Sequence, residues 1–254
     1  MISIDLAGKT ALVTGSSRGL GRAAALVLAQ AGCDVVVNYC RDRKAAQEVT
    51  AKCRAFGVRA IDVKADMASS AQVTKLIRRA KKQMGRIDIL VANAGVWKEA
   101  AIERMTDKRL AETLDINVKG VFACCREVVP IMKRRKSGRI ILVSSTAGQR
   151  GEPFHSQYAA SKGAVISLAK SLAPELARHG ILVNCIAPGW FDTDMSVPTM
   201  KVPRLRKWVL DTIPLGRIGR PEEFAGAVLF LASELSTFIT GEILNVNGGA
   251  VLCG

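Results

Sequence analysis

Short runs rich in Val and Ile alternate along this 254-residue chain with longer stretches of helical period, and that alternation leaves few architectures open. The runs are Thr10 to Thr14, Asp34 to Asn38, Arg59 to Val63, Ile87 to Ala92, Arg139 to Ser144, Leu182 to Ile186 and Ile243 to Val246. Their nearly continuous apolar character is that of strands covered on both faces. Stretches such as Leu20 to Ala31 and Ala45 to Phe56 repeat apolar residues at helical spacing. Strand–helix alternation predicts βαβ units and a parallel sheet. No linker, repeat or low-complexity segment interrupts it. Residues 1–254 therefore read as a single α/β domain: a doubly wound parallel sheet of about seven strands with helices on both faces. Trp190 to Gly219 has no clean period and carries Pro198, Pro203 and Pro214. It follows a predicted strand, where ligands gather in open α/β sheets, and it reads as a partly helical lid over about residues 190–219. Phe154 to Gln157 reads as a substrate-facing loop.

The first strand runs into Thr14-Gly15-Ser16-Ser17-Arg18-Gly19-Leu20-Gly21, and a helix follows. Glycines allow a tight turn and a close approach of backbone to phosphate. The helix N-terminus then offers N–H groups and a positive dipole end to a pyrophosphate. The spacing is G-x-x-x-G-x-G rather than the more general G-x-G-x-x-G. The second strand ends at Asn38-Tyr39-Cys40-Arg41, with no acid at its tip to hold a ribose 2′-hydroxyl; Asp42 is placed to cap the next helix. Arg18 and Arg41 suit a 2′-phosphate instead, so the expected cofactor is NADP(H). The same turn holds a literal G-x-S-x-G around Ser17, with His155 and His179 downstream. That keeps a serine hydrolase as a competing class, although the motif follows the first strand and no His-Gly-Gly loop precedes it.

Tyr158 and Lys162 lie four residues apart, on one face of a predicted helix. A lysine charge beside a phenol favours phenolate and makes the tyrosine a better proton donor or acceptor near neutral pH. Ser145 lies thirteen residues earlier and Asn117 further upstream.

Hydrophobic residues make up 49% and charged residues 23%, the balance of a globular enzyme. No apolar run approaches the roughly 20 residues of a membrane span. Met1 to Lys9 lacks a basic start and a long apolar stretch, so a cytoplasmic location is the expectation. Seven cysteines without C-x-x-C and only two histidines predict reduced thiols and no metal site. The net charge of +15 concentrates at Arg78 to Lys82, Lys133 to Lys136 and Lys201 to Lys207. These runs carry no interleaved aromatics and fall where helices end, which favours solvated faces or an acidic partner over nucleic acid.

Taken together, these residues resemble a compact short-chain dehydrogenase/reductase over essentially the whole chain. The glycine turn matches, as do Asp66-Met67 after the third strand and Asn93-Ala94-Gly95 after the fourth, with Ala92 where the family usually has another Asn. Pro188-Gly189, Thr193 and Asn247-Gly248-Gly249 also match, the last with Asn in place of Asp. The resemblance implies a Rossmann-like fold and a catalytic tetrad of Asn117, Ser145, Tyr158 and Lys162. It implies cofactor contacts from Gly15, Ser17, Arg18, Gly19, Leu20, Gly21, Asn38, Tyr39, Arg41, Asp66, Met67, Asn93, Ala94, Gly95, Tyr158, Lys162, Pro188, Gly189 and Thr193. In it, Tyr158 protonates the carbonyl oxygen and Ser145 positions that oxygen. Lys162 biases the tyrosine and binds the nicotinamide ribose, and Asn117 holds a proton-resupplying water. Thr193-Asp194-Met195 resembles the 3-oxoacyl-carrier-protein reductases. Lys133 to Lys136 lies where such enzymes meet the acidic carrier, although His179 stands where a second arginine is expected. The implied reaction is NADPH-dependent reduction of a 3-oxoacyl thioester, with another ketone, sugar or secondary alcohol as the alternative. A cofactor-binding regulator without turnover is the remaining class. A homotetramer built on the helix near Pro221 and the helix of Tyr158 is implied as well.

Overall fold

The structure is a computed structural model and describes residues 4–252, so Cys253 and Met1 to Ser3 lie outside the described residues. Seven parallel strands form one sheet: β1 (Thr10–Val13), β2 (Asp34–Tyr39), β3 (Ala60–Lys64), β4 (Ile89–Ala92), β5 (Gly138–Val143), β6 (Ile181–Pro188) and β7 (Ile243–Val246). Their spatial order is β3-β2-β1-β4-β5-β6-β7. The chain starts in the middle, winds outward to β3, then crosses back past β1 to β4. The crevice at that reversal, above the carboxyl ends of β1 and β4, is where such sheets hold ligands.

The helices are α1 (Gly19–Gln30), α2 (Arg43–Ala55), α3 (Ser70–Met84), α4 (Asp107–Leu114), α5 (Gly120–Arg135), α6 (Thr146–Arg150), α7 (Ser156–Ala177), α8 (Val197–Met200), α9 (Pro203–Asp211) and α10 (Pro221–Ala232). Successive strand residues point to opposite faces, which divides the core in two. Leu12, Val36, Leu90, Ile140 and Val183 face α3, α5 and α7. Val13, Val37, Val91, Ile141 and Ile186 face α1, α2 and α10. All four residues of β1 and β4 are buried, as a strand with helices on both sides requires.

β7 lies where the sequence reading put it, the other six strands differ by one or two residues, and their ends have local causes. β4 starts at Ile89 because Asp88 turns aside: its carboxylate accepts from Thr10 N at 2.9 Å and pairs with Arg86. β6 runs on to Pro188, paired with Val246 of β7. Asp42 caps α2 by accepting from Ala45 N at 2.9 Å. Basic residues close α3 (Lys81, Lys82) and α5 (Lys133, Arg134, Arg135), against the negative end of each helix. No helix among the described residues is long and apolar enough to cross a membrane. The lid is partly helical, through α8 and α9, and its two ends are pinned together by a bridge between Phe191 and Gly219.

Candidate active site

The glycine turn owes its shape to two asparagines. Gly15 and Gly19 adopt φ of +62° and +54°, left-handed backbone that side chains disfavour. Asn38 accepts from Gly15 N through Oδ1 at 3.0 Å, and its Nδ2 donates to Val63 O and Ala65 O. Asn93 Nδ2 donates to Thr14 O at 3.0 Å and to Gly15 O at 3.3 Å. Gly21 lies so close beneath the turn that a Cβ there would run into Gly15 O and Asn93 Nδ2. Ser16 turns inward, its hydroxyl donating to Val13 O at 2.7 Å, while Ser17 and Arg18 stay toward solvent.

The N-terminus of α1 is open. Arg18 precedes it without a side-chain cap and its first turn holds no acid, whereas Asp42, Ser69 and Thr106 cap α2, α3 and α4. An uncapped positive helix end behind a glycine turn fits a pyrophosphate. Arg18 and Arg41 are both exposed at the rim, Arg18 within 3.8 Å of Asp194 in the lid. Thr193 of the lid stands across from Gly19, where a Cβ on the glycine would be 3.5 Å from its methyl group.

Three of the residues expected to touch cofactor turn their side chains inward. Asn38 and Tyr39 are buried, and the Asn38 amide is spent on the backbone, so it shapes the turn. Met67 has its side chain in the core against Cys124, which leaves only its backbone at the crevice. Asp66 is half-buried and accepts from Ala68 N at 2.9 Å. Pro188 is buried at the end of β6, and Gly189 packs so closely on Asn247 that a Cβ would approach it to 2.9 Å.

The tetrad converges at the carboxyl ends of β4 and β5. Ser145 follows β5 and caps α6, accepting from Ala147 N at 3.1 Å. Ser144 beside it is structural: its hydroxyl donates to Lys162 O at 2.7 Å and ties α7 to the sheet. Lys162 is buried, and its Nζ donates to Val143 O at 2.8 Å and lies 5.8 Å from the centre of the Tyr158 ring. Gly148 permits this packing, because a Cβ there would meet the Lys162 backbone at 2.6 Å. Asn117 sits in a π-helical turn, Asp115–Lys119, between α4 and α5; such turns often mark functional positions. Its Oδ1 accepts from Val96 N at 2.9 Å, and its Nδ2 donates to Val96 O and Ser161 Oγ at 3.0 Å each. A Cβ on Gly95 would stand 3.3 Å from both Asn117 Oδ1 and Lys162 Nζ, so these groups meet at one spot.

Burial governs the acidity of the pair. It pushes the Tyr158 phenol up to about 12, against a hydrogen bond from Ser145, with the Glu152 charge adding to the rise. Lys162, expected from the sequence to pull the phenol toward phenolate, is not among the groups that shift it. Burial also brings Lys162 down to about 8. The phenol is therefore neutral at physiological pH, the form that donates a proton.

The sequence reading placed His155 in a substrate-facing loop and Trp190 in the lid, but not the cluster they form with Trp97 and Glu152. The Trp97 indole stacks flat on His155, with centres 4.3 Å apart and planes 4° apart. It meets Trp190 edge-on at 5.7 Å and donates from Nε1 to Glu152 Oε2 at 3.2 Å. His155 is thereby committed to this wall, its Nδ1 lying 3.1 Å from Pro153 O.

Comparison with known proteins agrees with this geometry. Residues 15–251 match the family described as Enoyl-(Acyl carrier protein) reductase. A 3-oxoacyl-[acyl-carrier-protein] reductase from Synechocystis sp. is 43% identical over 97% of this chain and 98% of its own. The enzyme of the same description from Staphylococcus epidermidis is 41% identical, over 95% of this chain and 98% of its own. The chain belongs to the short-chain dehydrogenase/reductase family. Among solved structures, a gluconate 5-dehydrogenase from Burkholderia cenocepacia in complex with NADP and tartrate superposes with a TM-score of 0.92 at 36% identity, over 97% of this chain and 96% of that one. As a short-chain dehydrogenase/reductase the protein is an oxidoreductase using a nicotinamide cofactor, and the expected fold and family stand. The fold and family leave the Ser17 motif as part of a dinucleotide turn. Among the described residues, no group of His, Cys, Asp and Glu could hold a metal.

Proposed function

We propose that this protein reduces the 3-oxo group of an acyl thioester, presented on an acyl carrier protein, with NADPH as the reductant. The observation that carries the reaction type is the convergence of Tyr158, Ser145 and Lys162 on one point beside the open N-terminus of α1. The thioester is favoured by near-full-length identity of 41–43% to 3-oxoacyl-[acyl-carrier-protein] reductases. NADPH is favoured by Arg18 and Arg41 at the rim and by the lack of an acid at the tip of β2.

Gly15, Gly19 and the first turn of α1 would hold the pyrophosphate, Arg18 and Arg41 the 2′-phosphate, and Lys162 the nicotinamide ribose. When bound, the nicotinamide supplies the hydride. The chain's own groups manage the oxygen. Ser145 donates a hydrogen bond to the carbonyl oxygen and fixes its position as charge grows on it. Tyr158 gives its proton to that oxygen as general acid. Asn117 holds Val96 and Ser161, and through them the spot where Lys162 and Gly95 meet; a water there would return the proton to Tyr158. Lys133 to Lys136 at the end of α5, with Arg134, Arg135 and Lys136 exposed, offers positive charge to the acidic carrier.

The second reading is oxidation of a sugar acid or another secondary alcohol, favoured by the likeness to the gluconate 5-dehydrogenase. Initial rates with acetoacetyl thioester and NADPH, beside gluconate and a panel of ketones with NADP⁺ or NADPH, separate the two. The expected result is at least a hundredfold higher kcat/KM for the thioester, with NADPH preferred over NADH. A hydroxy acid as the better substrate would overturn the thioester assignment.

A further inference from the structure

Three separate segments bring Trp97, Glu152, His155 and Trp190 together, near enough to Tyr158 for the Glu152 charge to act on the phenol. Trp97 follows Asn93-Ala94-Gly95 off the end of β4, and Trp190 follows Pro188-Gly189 off the end of β6. Glu152 and His155 lie in the crossing from α6 to α7, and His155 is one helical turn ahead of Tyr158. The cluster thus forms a wall over the carboxyl ends of the central strands, next to the phenol.

Glu152 is the one carboxylate in that wall. It is half-buried, and Trp97 Nε1 holds its Oε2. Its Oε1 has no hydrogen-bond partner among the described residues, and no Lys or Arg lies within ion-pair distance of the group. Burial raises its pKa above the ordinary carboxylate value, while the charge of His155, the Trp97 hydrogen bond and Arg150 work against the rise. Its charge is felt at the phenol, where it opposes ionisation of Tyr158. A substrate carboxylate placed beside the reacting carbon would meet this half-buried negative charge, which no ion pair neutralises, and like charges repel strongly away from bulk water. An uncharged substrate meets no such barrier, and an N–H or O–H on it could donate to Oε1. Discrimination by a built-in unfavourable contact is a common route to specificity.

We propose that Glu152, anchored by Trp97, is a charge filter on the substrate site, excluding carbonyl and alcohol substrates that carry a carboxylate near the reacting carbon and admitting uncharged ones such as thioesters and esters. The proposal rests on the reading of Tyr158 as the group that protonates a substrate oxygen, and it favours the thioester over the sugar acid.

The test compares pairs of substrates that differ in charge and one methyl group. Acetoacetate and 5-oxohexanoate are each assayed beside their methyl esters at pH 8, with NADPH saturating. The wild-type protein is expected to prefer each ester. Glu152→Gln keeps an acceptor for Trp97 and removes the charge; it should raise the acid-to-ester ratio of kcat/KM at least tenfold in one or both pairs. Glu152→Asp, which retains the charge, should keep the ester preference. A ratio that Glu152→Gln leaves unchanged in both pairs overturns the filter. Absence of turnover with every ketone and thioester would remove the thioester reading instead. The same ratio would then be measured on a neutral polyol and its sugar acid with NADP⁺, where an unchanged ratio overturns the filter equally.

Discussion

At the scale of single residues, Tyr158 and Lys162 divide the work by their protonation. A phenol pushed up to about 12 keeps its proton across the working range, so it is a donor first. Tyr158→Phe should therefore lower kcat for ketone reduction by about 10³-fold or more, within the reach of lost general acid catalysis. Fluorescence titration should show NADPH still bound, because the ring makes no contact that the turn needs. Near-normal turnover by that variant would refute the role. Lys162 gives a prediction on stability. Its folded value of about 8 lies below its unfolded value of 10.5, so the unfolded chain binds more protons between those two pH values. Stability attributable to Lys162 thus rises with pH from about 8 to about 10.5, by up to ~3 kcal/mol, and is lost as pH falls back through 8. Buried Cys33 and Cys53 work oppositely, since burial raises them and their stabilising effect fades at high pH. The comparison must therefore be with Lys162→Met, whose urea-unfolding free energy should lack the rise. Parallel pH profiles for the two proteins would count against a buried, strained ammonium.

At the scale of elements, most of the sheet is legible in the sequence because its signal is local. Val35-Val36-Val37 and Ile140-Ile141-Leu142 are apolar on both faces, and only a strand inside a two-layered sandwich of helices uses such runs. The glycine turn and the Tyr158–Lys162 spacing are local too. What escapes is built from distant parts. Nothing near Trp97 announces that it will stack on His155, fifty-eight positions on, and hold Glu152. Asn38 reads as the strand tip beside a ribose, yet its amide is drawn inward by Gly15, Val63 and Ala65, because three strand ends converge there with backbone groups to satisfy. The π-helical turn at Asn117 adds one residue to a helix without any change of composition. Gly21 tests how far the turn depends on close approach. Gly21→Ala places a methyl group against Gly15 O and Asn93 Nδ2, two groups fixed by hydrogen bonds of their own. Relief requires the turn to lift off α1. The variant should lose about 1–3 kcal/mol by overpacking and bind NADPH at least tenfold more weakly. Thermal unfolding and fluorescence titration measure the two separately, and unchanged values in both would show that the turn has slack.

At the scale of the whole molecule, the two ends of the sheet differ. β3 and β7 are its two edge strands, and all four residues of β7 are only half-buried in the single chain. Beside it Phe238 is fully exposed, and Leu252 and Leu235 are largely so. A parallel edge strand and large apolar side chains left in water are what a second subunit would cover. The apolar run from Leu231 to Val251 thus divides between two tasks: Leu231, Ala232 and Val251 are buried in the chain's own core, whereas Leu235 and Phe238 face outward. A second apolar surface lies on α4 and α5, where Leu110 and Phe122 are exposed. These patches differ from α10 and α7, the helices on which the resemblance implied a tetramer; two separate patches allow two two-fold contacts, and two perpendicular two-folds generate a tetramer. Sedimentation should then give four times the 27.2 kDa chain. Phe238→Asp should open only the contact at β7 and leave dimers joined through α4 and α5. Phe122→Asp should leave dimers of the other kind, and the double variant should be a monomer. If Phe238→Asp sediments with the wild type, the β7 edge is not an interface, and the exposed ring needs another explanation.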